Sequence, residues 1–146
     1  ISITRSLTAI HGPLPIPRAV ADELSVAVAG SPPVDPRQIP GASIREPPDR
    51  TLVRSLLLTL HAGESEAIAL AVETPESILL IDERRARRAA VRLNIPAFGV
   101  LGLLVEAKQR GLIQSAAEQV NSLQTGIAFR VSADIIQNIV IAAAEA

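Results

Sequence analysis

The stretch Ile78-Leu79-Leu80-Ile81-Asp82-Glu83-Arg84-Arg85-Ala86-Arg87-Arg88 decides the fold class. Four consecutive apolar residues read as a strand covered on both faces, the pattern of a parallel sheet rather than of a half-exposed antiparallel one. Asp82 stands at the carboxyl end of that strand. Glu83 to Leu93 then reads as a helix, with Ala86, Ala89, Ala90 and Leu93 as its small or apolar positions and Asn94 as its stop.

Outward from this unit the alternation continues. Ile95-Pro96-Ala97-Phe98 is short and extended, and Gly99 to Arg110 is an apolar helix ended by Gly111. Upstream, a helix runs from Glu64 to about Glu73, stopped by Pro75, and Thr51 to Leu60 carries a helical stripe capped by Asp49. Ser31 to Pro48 holds six of the eleven prolines, a surface excursion with a short strand around Ser43 to Arg45. Leu14-Pro15-Ile16 is extended, with Pro17 opening a helix through Val28. Ile3, Leu7 and Ile10 form a helical stripe stopped by His11-Gly12-Pro13, and two helices near 114–123 and 132–144 close the chain. Strands alternating with helices imply an α/β fold with three layers, α/β/α, around a mostly parallel central sheet, as one domain over residues 1–146.

Composition removes several chemistries. With 146 residues, 48% of them hydrophobic and 20% charged, the chain is expected to fold around one core. It has no cysteine, which excludes disulfides, thiolate metal sites and cysteine nucleophiles. Its two histidines, His11 and His61, are read as surface or loop residues, which argues against a His-based triad. Trp and Tyr are absent, against single-strand recognition by aromatic stacking, and no phosphate-cradling glycine loop occurs. No apolar run reaches the roughly 18 residues of a bilayer span, so a cytoplasmic protein without membrane contact is expected.

What remains is acidic. Hard ions such as Mg²⁺ and Mn²⁺ take oxygen ligands and keep several waters, so a few carboxylates suffice. Ligands of parallel sheets sit at the carboxyl ends of strands, where Asp82 and Glu83 lie. Glu64 shares a helix face with Ala67, Ile68 and Ala71, which points it toward the layer interface, while Glu66 faces the other side with Leu70 and Glu73. Other roles suit the same residues: Glu64 as a first-turn partner of the helix dipole, and Asp82 as N-cap of the arginine-rich helix. Arg84, Arg85, Arg87 and Arg88 are either a solvated face or a contact to a phosphate backbone.

Several segments together resemble a known family. Ile16-Pro17-Arg18-Ala19-Val20-Ala21-Asp22-Glu23-Leu24, then Gly63-Glu64-Ser65-Glu66-Ala67-Ile68-Ala69-Leu70-Ala71, then Leu79 to Arg88, then Ile95 to Leu104 with Ala107-Lys108 and Gly111-Leu112-Ile113 are similar to a prokaryotic branch of the PIN-domain superfamily, predicted nucleic-acid-binding proteins related to VapC-type toxins. The resemblance implies a cluster of acids holding Mg²⁺ or Mn²⁺ that cuts RNA by metal-assisted hydrolysis. It assigns Glu64 and Asp82 as catalytic and metal-binding acids, Glu23, Glu66 and Glu83 as further candidates, and a small antitoxin as a partner. The family pattern also has an Asp at the end of a first strand, which no residue here matches. A preceding segment of roughly 15–25 residues carrying that strand is therefore expected. A homodimer is expected from the apolar Leu101, Leu104 and Val105. A catalytically silent module that binds RNA or protein is the alternative.

Overall fold

The computed structural model of the chain describes residues 8–26 and 33–126. Its elements run β1 (Leu14–Pro17), α1 (Arg18–Leu24), a short 3-10 turn (Pro36–Gln38), β2 (Ala42–Arg45), α2 (Arg50–Leu56), α3 (Ala62–Glu73), β3 (Leu79–Leu80), α4 (Arg84–Arg92), β4 (Ala97–Phe98), α5 (Val100–Gln109) and α6 (Ala116–Gly126). The expected helix near 132–144 lies outside the described residues.

All strand pairing here is parallel, as the Ile78–Ile81 run predicts, but among the described residues it forms two small sheets instead of one central sheet. β1 pairs with β2, Leu14 opposite Ala42 and Ile16 opposite Ile44, and β3 pairs with β4, Leu79 opposite Ala97. β2 arises inside the proline-rich excursion because Ala42 to Arg45 lies in its longest run free of proline, Gly41 to Glu46. Parallel partners need a crossover between them, and α4 supplies it between β3 and β4. Pro15 and Pro17 bring no N–H to a ladder, and β1 is tolerated as a strand because its bond to Gly41 O is made by Leu14 N–H.

α3 is the central helix. It packs on β1 and β3, and on α1, α2 and α4. Leu60, Ile68, Leu79, Ile81, Ala86, Ala90 and Ile95 form one buried cluster on its sheet side. A second cluster joins α5 to α6 through Leu104, Ala107, Ile113, Ala116 and Val120, with Ile10, Leu101 and Val105 packed against it. This corrects the expectation of surplus apolar surface on α5. Leu104 is buried, and Leu101 and Val105 are taken up within the chain.

Turns end the helices where glycine and asparagine predict. Gly111 at φ +71 and Asn94 at φ +58 take the left-handed conformation that closes α5 and α4. His11 departs from its expected surface role. It ends a helical turn at residues 8–11, with its ring 5.2 Å from that of Phe98 and its Nε2 3.3 Å from a Glu106 oxygen.

Candidate functional site

At the end of β3 the chain turns outward, and Asp82 and Glu83 divide between two helices. Glu83 is the N-cap of α4, its Oε2 accepting from Ala86 N–H at 2.7 Å. Asp82 reaches forward instead, its Oδ1 accepting from Val100 N–H at 2.9 Å, at the start of α5. The cap expected of Asp82 on the arginine-rich helix thus belongs to its neighbour. Asp82 can cap the later helix because β3 and β4 run parallel, bringing the carboxyl ends of both strands side by side. Gly99, between β4 and α5, makes the approach possible: a Cβ there would stand 2.5 Å from Asp82 Oδ1 and 3.3 Å from a guanidinium nitrogen of Arg87.

Glu64 lies in the first turn of α3, but it is half-exposed and does not point into the layer interface. Its Oε2 turns back to accept from His61 N–H at 3.1 Å. A carboxylate there satisfies a donor the helix leaves without an intrahelical partner and meets the positive end of the dipole. Glu23 comes to the same place from α1. Its two carboxylate oxygens lie 3.0 and 3.1 Å from where a Cβ of Gly63 would be, beside Glu64.

Glu66 stands apart. It does face away from Glu64, as the helical spacing requires, but α1 and α2 cover that side and leave it only 7% exposed. Both its oxygens are engaged, Oε2 by Ala19 N–H at 2.8 Å and Oε1 by the Arg50 guanidinium at 2.9 Å. Glu73, on the same face, accepts from Asp49 N–H at 3.1 Å, and Asp49 in turn caps α2 through Leu52 N–H at 2.9 Å. Each of α1 to α5 therefore has a carboxylate on a backbone N–H at its start.

The charge on α4 is arranged on two sides. Arg85 donates to Thr59 O at 3.4 Å, whereas Arg84, Arg87, Arg88 and Arg92 line an open groove with Val91 and Ala97. Arg92 and Gly99 are the participants that sequence reading missed. The i, i+4 spacing of Arg92 from Arg88 was the available signal for the first; the second depends on the β3–β4 pairing.

The Glu83 carboxyl is held below the ordinary glutamate range, first by the Ala86 N–H and then by the Arg85 N–H, with the Arg85 charge adding to them. A depressed folded-state pKa contributes stability that is present above the unfolded value and is lost as pH falls through the folded one. Urea midpoints between about pH 5 and 3 should therefore fall more steeply for wild type than for Glu83→Gln. Parallel curves would contradict the cap.

The donors here suit a hard divalent ion in kind, since they are carboxylates, and Glu64 and Asp82 each have one oxygen with no hydrogen bond to a described residue. They do not suffice in number. Among the described residues no three His, Asp or Glu side chains come together as a group able to hold a metal. Also among them, no helix is long and apolar enough to cross a membrane. A family model described as a PIN domain matches residues 2–145. No curated protein and no solved structure matches the chain.

Proposed function

We propose, from the premise that the chain belongs to the PIN-domain family, that it is a ribonuclease dependent on Mg²⁺ or Mn²⁺, with Glu64 and Asp82 as the acids that serve the ion. The observation that carries this reading is the position of Asp82. It is exposed at the carboxyl end of a parallel strand, one oxygen fixed by Val100 N–H, next to a helix face of arginines that form no ion pair among the described residues. Glu23, exposed beside Glu64, is the next candidate, and Glu83 keeps one oxygen free of its cap bond. Glu66 is the least available, since both of its oxygens are engaged. The remaining ligands would come from substrate phosphate or from outside the described residues. The reading extends to a cytoplasmic toxin held by a small antitoxin, and to a homodimer whose interface lies away from Leu101, Leu104 and Val105.

One observation favours a second reading, a catalytically silent PIN-like module that binds RNA or protein. Each acid already serves as a helix cap or lies against a helix start, and among the described residues no three converge. Incubating the full chain with a mixed RNA pool separates the two. Cleavage in Mn²⁺ that stops in EDTA is expected of the ribonuclease, and RNA retained uncut in every metal tested would replace it with the silent module.

A further inference from the structure

The arginines of α4 differ in what they touch. Arg85 is tied to Thr59 O, but the side chains of Arg84, Arg87, Arg88 and Arg92 make no ion pair or hydrogen bond with any described residue. Their positions, with Val91, follow the i, i+3, i+4, i+7, i+8 spacing of one helix face, about 12 Å long from Arg84 to Arg92. That face and Ala97 enclose an open groove of about 470 Å³. Arg84 with Arg88, and Arg88 with Arg92, are like charges one turn apart, an arrangement that disfavours the helix. No ion pair with an acid among the described residues offsets them.

The occupant that fits is a chain of spaced negative charges rather than one small anion. The groove is long, its charges are distributed along it, and it opens toward Asp82 at Arg87, where both side chains reach the space beside Gly99. The lining offers no aromatic platform on which a base could stack. It contains no aromatic ring, and Phe98, the nearest in sequence, is packed against His11. We infer that this groove grips the sugar-phosphate backbone of an RNA strand through Arg84, Arg87, Arg88 and Arg92, without base preference, and delivers the adjoining phosphodiester to Asp82. The inference rests on the RNA reading above and adds how the strand is held.

Fluorescence anisotropy with labelled single-stranded RNA and the full chain, in EDTA so that neither metal nor cleavage enters, tests it. The log of the association constant should fall with log salt at a slope of about −3, from about 0.7 per phosphate over four arginines. U-rich and mixed sequences should bind alike. The double variant Arg88→Gln/Arg92→Gln should lose about 1.4 of the slope, while Arg85→Gln should keep it. An unchanged slope in the double variant, or a strong preference for one sequence, would overturn the groove. A polyglutamate peptide competing as well as RNA would reassign it to an acidic protein partner. RNA bound in EDTA but never cut in Mn²⁺ would sink the nuclease reading and leave the groove standing; cleavage with an unchanged slope would do the reverse.

Discussion

Replacing Glu66 with alanine should lower the unfolding free energy by about 2–3 kcal/mol, the largest stability effect expected of any acid near the candidate site. The side chain is buried where α1, α2 and α3 meet, and it joins them through Ala19 N–H and the Arg50 guanidinium. Truncation leaves the part-buried Ala19 donor without its acceptor and opens a space between helices. Charge-assisted bonds in such a setting each contribute about 1.5–3 kcal/mol, and the half-exposed Arg50 end is discounted for solvent screening. Glu66→Gln keeps the amide oxygen and should cost less. Urea unfolding followed by far-UV circular dichroism measures the difference. A Glu66→Ala midpoint equal to wild type would mean that the carboxylate does not hold the three helices together.

The second large effect concerns Asp82, whose charge and whose hydrogen bond can be removed separately. Asp82→Asn retains an oxygen for Val100 N–H and should keep wild-type stability, while RNA cleavage falls by more than about a hundredfold, beyond what loss of an outer-sphere partner costs a metal site. Asp82→Ala should lose activity and also about 1 kcal/mol of stability with the cap. Gly99→Ala supplies the converse. Its backbone, at φ −96, accepts alanine without strain, but the new Cβ would meet Asp82 Oδ1 at 2.5 Å and push the carboxylate off α5. It should lose the cap while keeping the charge. If Asp82→Asn were instead as unstable as Asp82→Ala, or cut RNA like wild type, the separation of the two roles would be wrong.

Legibility in the sequence followed the range of the interaction. Ile78-Leu79-Leu80-Ile81 announced a parallel strand, although only Leu79–Leu80 forms it and Ile78 is exposed, and Asn94 and Gly111 announced helix ends, because an apolar run and a left-handed turn are properties of neighbouring residues. The pairing of β2 with β1 depends on residues 28 positions apart in register, Leu14 with Ala42, and nothing local encodes it. The burial of Glu66 was hidden for a similar reason. Helical spacing put it opposite Glu64, but a helix covered on two sides has no solvent face at that point, and α1 and α2 supply the second cover. The shift of one residue between Asp82 and Glu83 as cap of α4 followed from β4 lying beside β3. That neighbour offered Asp82 a donor 18 residues away. The arginine run was read as ending at Arg88, although the face it belongs to continues to Arg92.

Isothermal titration of Mn²⁺ into the full chain and into the double variant Glu64→Gln/Asp82→Asn tests most directly whether these two acids serve an ion as well as the helices they cap. Saturable binding by wild type, abolished in a double variant whose circular dichroism and urea midpoint are unchanged, is the predicted result. Equal binding by both proteins, or no binding by wild type, would contradict it.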